Sequence, residues 1–270
     1  SNQFWADQHR WKTVPEYAVE QRYYELAKNP DIIFYENEKP ARFEKYRKLS
    51  PAFIEDFDWY TLDKSRWAYG FHASNEQLIG NYSFDNERQA NSGGKNVSVV
   101  HGTFTLETKH EKCISRAWNP TKGFYEKEFD YTSDVVQTAD EFRQTYGVFK
   151  AKIRCTGRAH HAFWLSNNSK LPHINIFHYD GKAITMGNAH QNVMDEVRIT
   201  GLKHSSFYIY TLEWTPKELI WYINDLEVHR TTSNVPKENL YLGFNSFLPG
   251  KEKPSTGKLE VDWVKVLSFN

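Results

Sequence analysis

The sequence predicts an all-β fold for most of the chain. From Phe53 onward, short runs of alternating apolar and polar residues are separated by Gly, Asn, Asp and Pro, a pattern typical of strands joined by turns. Aromatic residues make up 16% of the chain, and such side chains favour strands and also stack on sugar rings. The 270 residues suffice for one large all-β domain or two small ones, with a core that needs no disulfides.

The first 52 residues differ from the rest. Pro15 to Ala27 has Pro at a first helical turn and apolar residues at helical spacing, which predicts a short helix. Charged connectors that contain Pro follow up to Pro51. We therefore expect an N-terminal extension over residues 1–52, packed on a β domain over residues 53–270. The alternative is a linker remnant.

Two turns are predicted within the β domain. The segment from Val97 to Thr108 alternates on both sides of Gly102, which indicates a hairpin with Gly102 in its turn. Asn224-Asp225 follows an apolar run and has the residue types of a tight turn between antiparallel strands.

Several segments resemble, in order, the strands of glycoside hydrolase family 16, the laminarinase, agarase and carrageenase group. They are Phe53–Phe57 with Leu62–Trp67, Tyr146–Arg154, Ala162–Ser166, Phe207–Ile223 and Gly257–Phe269. The resemblance covers about residues 53–269. It implies a concanavalin A-like β-sandwich jelly roll, with two curved antiparallel sheets and a concave cleft for a polysaccharide.

The catalytic strand of that family carries Glu-x-Asp-x-x-Glu, and here His173, Asn175 and His178 stand at the three acidic positions. A retaining glycosidase needs two carboxyl groups about 5–5.5 Å apart, and this motif contains none. A β-bulge in the family's strand lets all three positions face the cleft. We therefore expect these three side chains to point into the cleft, and the apolar residues between them to pack inward.

The resemblance also suggests other cleft residues, and His160 and His161 before the Trp164 strand are expected to lie near the rim. Further candidates are Tyr179 and His190 for catalysis, Trp164 and Trp118 as sugar platforms, and Arg116 and Arg158 for sulfate or carboxylate groups.

Histidine chemistry is the favoured hypothesis, because imidazole titrates near pH 6.5 and can act as acid or base. One version is β-elimination on a uronic acid polymer, with Asn175 neutralising the substrate carboxylate and Tyr179 or a histidine donating the proton. Another is inverting hydrolysis with a distant carboxylate, Asp180 or Glu196, as base. We expect no cofactor; the metal alternative is Zn²⁺ on His173, His178 and His190. A catalytically inactive glycan-binding protein is the alternative function.

The composition excludes some classes of protein. The net charge is zero and the pI is about 7.2, which argues against nucleic acid or an anionic membrane as partner. The sequence contains no run of about 18 apolar residues, the length that would predict a membrane span. No signal peptide is visible, so a secreted, periplasmic or cell-surface location is implied only by the resemblance, as is a monomer that binds polysaccharide. Cys113 and Cys155 are either free or paired.

Overall fold

The computed structural model describes residues 11–13, 49–72, 81–167, 173–191 and 193–269. These residues form strands and connecting loops, with no helix among them, so the predicted all-β class is confirmed. The helix expected from Pro15 to Ala27 lies outside the described residues. Within this part of the chain, no helix is long and apolar enough to cross a membrane.

The strands are numbered in chain order. They are β1 (Trp11–Thr13), β2 (Leu49–Glu55), β3 (Ala68–Tyr69), β4 (Ser83–Phe84), β5 (Gln89–Asn91), β6 (Val97–Val100), β7 (Thr103–Asn119), β8 (Gly123–Ser133), β9 (Val135–Gln137), β10 (Gly147–Gly157), β11 (His160–Ser166), β12 (His173–Tyr179), β13 (Ile184–His190), β14 (Val193–Thr200), β15 (Tyr208–Trp214), β16 (Leu219–Ile223), β17 (Leu226–Thr231), β18 (Tyr241–Phe247) and β19 (Gly257–Phe269).

Two sheets form the predicted sandwich. The first has the order β1-β14-β13-β12-β11-β18-β9-β3, and the second has β17-β16-β15-β10-β19-β7-β8-β5 with β2, β4 and β6 paired at its side. Strand β2 begins at Leu49, before the expected domain start at residue 53, and β1 pairs with β14. The division at residue 52 stays a prediction.

Aromatic side chains fill the space between the sheets. Phe163 and Phe244 of the first sheet stack with their ring centroids 4.5 Å apart. Phe177 of the first sheet contacts Tyr210 of the second at 4.7 Å. Because each of these side chains removes a large apolar area from water, the core depends on them more than on any polar contact.

Both predicted turns are present. His101 and Gly102 have φ of 50° and 75°, and Asn224 and Asp225 have φ of 45° and 69°. Two consecutive left-handed residues match the twist of the flanking strands, which is why such turns suit hairpins. The strand predicted to end near Thr108 continues in the structure to Asn119.

The two cysteines are both free. Cys155 is fully buried in the core between the sheets, and Cys113 is half-buried on β7. Burial raises the pKa of the Cys155 thiol well above its usual range, which disfavours the reactive thiolate.

We therefore expect one thiol of the native protein to react with an aromatic disulfide reagent, and two to react after denaturation. Replacing Cys113 with Ser removes the fast reaction and leaves the other thiol protected. A native protein in which both thiols react at the same rate contradicts this assignment.

Candidate functional site

A β-bulge in β12 builds the site. Asn175 pairs with Gly187 and His178 pairs with Thr185 on β13, so two residues of β12 oppose one residue of β13. The two β12 residues in the bulge, Ile176 and Phe177, are both buried in the core. The added residue resets the alternation of the strand. As a result His178 returns to the outer face of the sheet, where His173 and Asn175 also lie.

The second sheet holds the bulge in place. The indole Nε1 of Trp221, fully buried on β16, donates a hydrogen bond to the carbonyl of Asn175 at 2.9 Å. A bulge disrupts the hydrogen-bond ladder locally, and a buried carbonyl without a partner costs free energy. Trp221 satisfies this carbonyl from across the core and so couples the bulge to the sandwich.

The three motif side chains line a cavity of about 310 Å³. Its floor is the outer face of β11, β12 and β18, and the described residues of its wall are Phe71, His72, Tyr82, Phe84 and Glu87. The described lining residues are Phe71, His72, Tyr82, Phe84, Glu87, Ala162, Trp164, Ser166, Asn167, His173, Asn175, His178, Tyr241, Asn245 and Phe247. The volume is at the lower end of the range usual for small-molecule sites.

Trp164 forms part of the cavity floor, as its sequence context predicted. Its Nε1 donates to Oδ1 of Asn245 at 2.9 Å, and its ring lies 5.5 Å from that of His173. A side chain at Gly243 on the adjacent strand would collide with the indole, since a Cβ there would lie 2.1 Å from Cη2 of Trp164. The absence of a side chain at Gly243 therefore allows the indole to lie over β18.

His173 and Asn175 contact each other. Nε2 of His173 lies 2.9 Å from Oδ1 of Asn175, so this nitrogen is the donor when the amide oxygen accepts. Burial lowers the pKa of His173, opposed by this hydrogen bond. The pair is thus neutral.

His178 belongs to a chain of hydrogen bonds, called here the histidine chain, made of Glu252, His160, His178 and Thr185. Oε2 of Glu252 lies 2.7 Å from Nε2 of His160, Nδ1 of His160 lies 3.0 Å from Nε2 of His178, and Nδ1 of His178 lies 2.9 Å from Oγ1 of Thr185. One set of tautomers satisfies every link: each Nε2–H donates toward Glu252, and the Thr185 hydroxyl donates to His178.

Burial keeps His178 uncharged. Burial, followed by the nearby imidazole of His160, lowers the pKa of His178 to about 3, and the carboxylate of Asp180 opposes the shift. The more distant rings of His173 and His161 add to the lowering. At neutral pH His178 is therefore a hydrogen-bonded neutral imidazole.

Glu87, on the wall, is a site residue that the sequence motifs did not indicate. Its Oε1 accepts a hydrogen bond from the backbone N–H of Phe84 at 3.3 Å. Burial raises the pKa of Glu87 to about 7, against the hydrogen bonds from Phe84 and Gln89 and the charge of Lys127. Its sequence neighbours are polar and charged and indicate only a turn, so no local signal places it beside a motif that begins at His173.

Tyr179 and His190 do not reach the cavity. Tyr179 follows His178 and faces the opposite side of the sheet. It is buried in the core, stacked on His204 at 4.3 Å. His190 ends β13 and is exposed; it follows Ala189, the partner of His173, and so points to the other face. The predicted role of both residues at the cavity is therefore not supported by their positions.

The zinc arrangement does not form either. His190 lies on the face opposite His173 and His178, because residues alternate along β13. Across the described parts of the chain, no group of three His, Cys, Asp or Glu residues is arranged to hold a metal ion.

The remaining candidates lie at other positions. Trp118 lines a second depression of about 570 Å³ that shares Phe84, Glu87 and Phe247 with the main cavity. Arg116 is exposed, with its guanidinium 4.5 Å from the ring centroid of Phe124. Arg158 is exposed in the turn before β11. Neither arginine is among the described lining residues of the main cavity.

Three other polar residues are also placed. Asp180 forms an ion pair with Arg198, and Glu196 pairs with Gly187 on the far side of β13. Neither carboxylate is among the described residues that line the main cavity. His161, expected near the rim, faces the interior instead, with Nδ1 2.6 Å from Oγ of Ser246.

Replacing Gly243 with Ala is expected to displace the Trp164 indole. The added methyl meets a rigid ring held by Asn245, so we expect a loss of about 1–3 kcal/mol in the free energy of unfolding. Thermal and urea unfolding, with tryptophan fluorescence, measure the effect. In a Trp164→Phe background the same methyl should cost less; equal costs in both backgrounds would contradict this packing.

The free energy of unfolding should decrease at acid pH because the unfolded chain binds a proton at His178 more readily than the folded chain does. The unfolded chain binds a proton here from about pH 6.5 downward, whereas the folded chain resists it until about pH 3. The free energy of unfolding therefore decreases as the pH falls through this window. In His178→Asn, we expect the pH slope to drop by up to about 1.4 kcal/mol per pH unit.

Urea titrations between pH 4 and 7 measure this slope. His101→Asn at an exposed turn position is the matched control, since Asn tolerates the left-handed backbone there. An identical slope for His178→Asn and the parent protein would show that His178 is not held neutral.

Solved structures with the same fold are known. The catalytic domain of an endo-1,3-beta-glucanase (laminarinase) from Thermotoga petrophila superposes with a TM-score of 0.64 at 17% identity, covering 83% of this chain and 99% of that one. A laminarinase from Zobellia galactanivorans, solved with laminaritriose and laminaritetraose, gives 0.62 at 20% identity, covering 81% and 99%. At such identities the likeness shows the fold alone.

Proteins with similar sequences are named as glycanases or glucanases. An endo-1,3-1,4-beta-glycanase of Rhizobium meliloti, EglC, is 26% identical over 202 residues, which are 67% of this chain and 42% of that protein. A beta-glucanase of Rhodothermus marinus is 23% identical over 218 residues, covering 70% and 68%. The chain thus spans less than half of the length of the Rhizobium relative.

One family matches most of the β domain. Residues 84–265 match the glycosyl hydrolases family 16, a range that contains the bulged strand, the Trp164 floor and Glu87. The jelly-roll sandwich and the order of its strands agree with this match. The chain therefore belongs to glycosyl hydrolase family 16.

Proposed function

We propose that this protein acts on a polysaccharide in the main cavity, with histidine-based acid/base chemistry in place of the family's catalytic carboxylates. The observation that carries the proposal is the convergence of His173, Asn175 and His178 on the outer face, beside the Trp164 floor. An aromatic floor suits a sugar ring, because the apolar face of a pyranose packs on an aromatic plane. Membership of the family and the names of its relatives support the same class of substrate.

We further propose a neutral β-glucan as the substrate. No Lys or Arg is among the described lining residues of the main cavity, and the imidazoles of His173 and His178 are held neutral. A uronic acid or sulfated polymer would bring negative charge into this apolar cavity without a matching cation, which is costly. The relatives and structural neighbours reported above are named as an endo-1,3-1,4-beta-glycanase, a beta-glucanase and a laminarinase.

Direct hydrolysis by water fits these residues better than the family's two-step reaction. No carboxylate stands at the motif positions to form a glycosyl ester, so water attacks the anomeric carbon and the configuration inverts. His178 can take the water proton at Nδ1 when the Thr185 hydroxyl turns away. His178 then carries the positive charge, which Glu252 stabilises through His160.

Glycan binding without cleavage is the second candidate function. Both ring nitrogens of His178 are engaged, one with His160 and one with Thr185. A ring held this way can serve as a fixed element of a binding site, and the apolar, aromatic cavity suits that role equally. β-Elimination is less favoured, because the cavity's described lining offers no cation for a uronate.

A panel of polymers tests the proposal: laminarin, mixed-linkage β-glucan, uronic acid polymers and sulfated galactans. We expect new reducing ends from the β-glucans only, with an inverted product anomer by NMR. His178→Ala should lower cleavage by at least about 100-fold, the usual contribution of a general acid or base. Retention on a β-glucan affinity gel should stay close to that of the parent.

The other outcomes each select an alternative. Unsaturated uronate absorbance would establish a lyase, and retention without products would establish a binding protein. His101→Asn, at an exposed turn far from the cavity, is the control. If His178→Ala cleaves as fast as this control, the histidine chain has no part in the reaction.

A further inference from the structure

We propose that Glu87 is the proton donor of the cleft: its carboxyl group donates a hydrogen bond to the glycosidic oxygen of a bound glycan and transfers that proton when the bond breaks. The transfer rests on the proposed function, whereas the hydrogen bond requires only that the cavity binds a glycan. The family motif lies on β12, so this assignment places the acid on a different element of the fold.

Glu87 lines the same cavity as the three motif residues. Glu87 is the only carboxylic acid among the described lining residues of the main cavity. It also lines two adjoining depressions of about 350 and 570 Å³. It therefore lies where the three spaces meet, on the wall rather than on the sheet that carries His173 and His178. A glycan on the Trp164 floor thus shares the main cavity with a carboxyl group that comes from outside the floor.

Cleavage of a glycan in this cavity needs a group that can donate a proton. Breaking a glycosidic bond requires a proton on the leaving oxygen. His173 and His178 are held neutral by burial, so the imidazolium form that could donate this proton is scarce at neutral pH. Asn175 has no acidic proton. Glu87 is the only carboxylic acid among the described lining residues, and burial keeps it partly protonated near neutral pH with a pKa of about 7.

The charged and titratable groups around Glu87 are consistent with this role. Lys127 is the near cation, and its Nζ donates to the carbonyls of Asp85 and Glu87 at 2.7 and 3.4 Å. The phenol of Tyr82 lies on the same wall. The remaining described groups around the three spaces are His72, Asp85, Arg88, Glu128, Asp130, Tyr131, His173, His178, Tyr241, Lys251 and Glu252. Burial outweighs the attraction of Lys127, which by itself lowers the pKa of the carboxyl group.

Cleavage moves one proton from Glu87 to the leaving oxygen and one proton from water to His178. The O–H bond of Glu87 breaks and its proton goes to the glycosidic oxygen, while the electron pair of the C–O bond leaves with that oxygen as an alcohol. Water bonds to the anomeric carbon and gives its proton to the imidazole of His178. Glu87 ends as a carboxylate and His178 as an imidazolium, and proton exchange with solvent restores both.

Glu87→Gln in the full chain tests the assignment, with the exposed Glu141→Gln as the matched control. The first measurement needs no substrate: carbon NMR of the side-chain carboxyl groups from pH 3 to 9. We expect one resonance with a midpoint near 7 in the parent and the control, and its absence in Glu87→Gln. A midpoint near 4.5 for Glu87 would overturn the proposal.

The second measurement is retention on laminarin and mixed-linkage β-glucan gels between pH 5 and 9. In the parent, affinity should fall about tenfold as the pH rises through 7, the effect of losing one donated hydrogen bond. In Glu87→Gln it should stay constant, because the amide donates at every pH. Parallel pH profiles for the two proteins would refute the hydrogen bond.

The third measurement is cleavage of the same glucans. Glu87→Gln should lose at least about 100-fold in rate while it retains the polymer; a rate within threefold of the control would overturn the transfer. If the parent cleaves nothing but its retention falls through pH 7 only with Glu87 present, the proposed cleavage fails and the hydrogen bond stands. Glu87→Ala, which removes the acid, replaces Glu87→Gln if the latter does not fold; the resonance near 7 and the pH dependence of retention should again be absent.

Discussion

The hydrogen bond from Trp221 to the carbonyl of Asn175 is the constraint on which the site depends. It joins the second sheet to the one irregular point of β12 and satisfies a carbonyl that the bulge removes from the ladder. Without the bulge, His178 would face the core and Phe177 would face the cavity, because a shift of one residue inverts every side chain of a strand. The core and the cavity are therefore two consequences of one local arrangement.

Burial determines the protonation state of the titratable groups in the cavity. The same apolar surroundings that lower the pKa of His178 raise that of Glu87, since both changes favour the uncharged form. The floor of the cavity thus carries neutral imidazoles, and the wall carries a partly protonated acid. Charge is kept at the rim, where Glu252 contacts His160, and this distribution suits an uncharged carbohydrate.

The sequence predicted the fold well because its signals are local. Alternation along strands and the left-handed pairs His101-Gly102 and Asn224-Asp225 need only neighbouring residues. Tyr179 and His190 are expected at the cavity from the resemblance to the family, yet each points to the opposite face. The face on which a residue of a strand lies depends on parity and on where the bulge falls, and a resemblance between sequences does not report either.

The sequence by itself determined the all-β class and the two turns, because these follow from periodicity and turn residues, and its resemblance to the family marked His173, Asn175 and His178. Only the tertiary structure decided which groups surround them. Glu87 comes from a loop before β5 and lines the cavity with His173 and His178, and Glu252 comes from a loop after β18 and contacts His160. Contacts between residues so distant in the chain, and the burial that shifts their pKa values, arise only when the fold is complete.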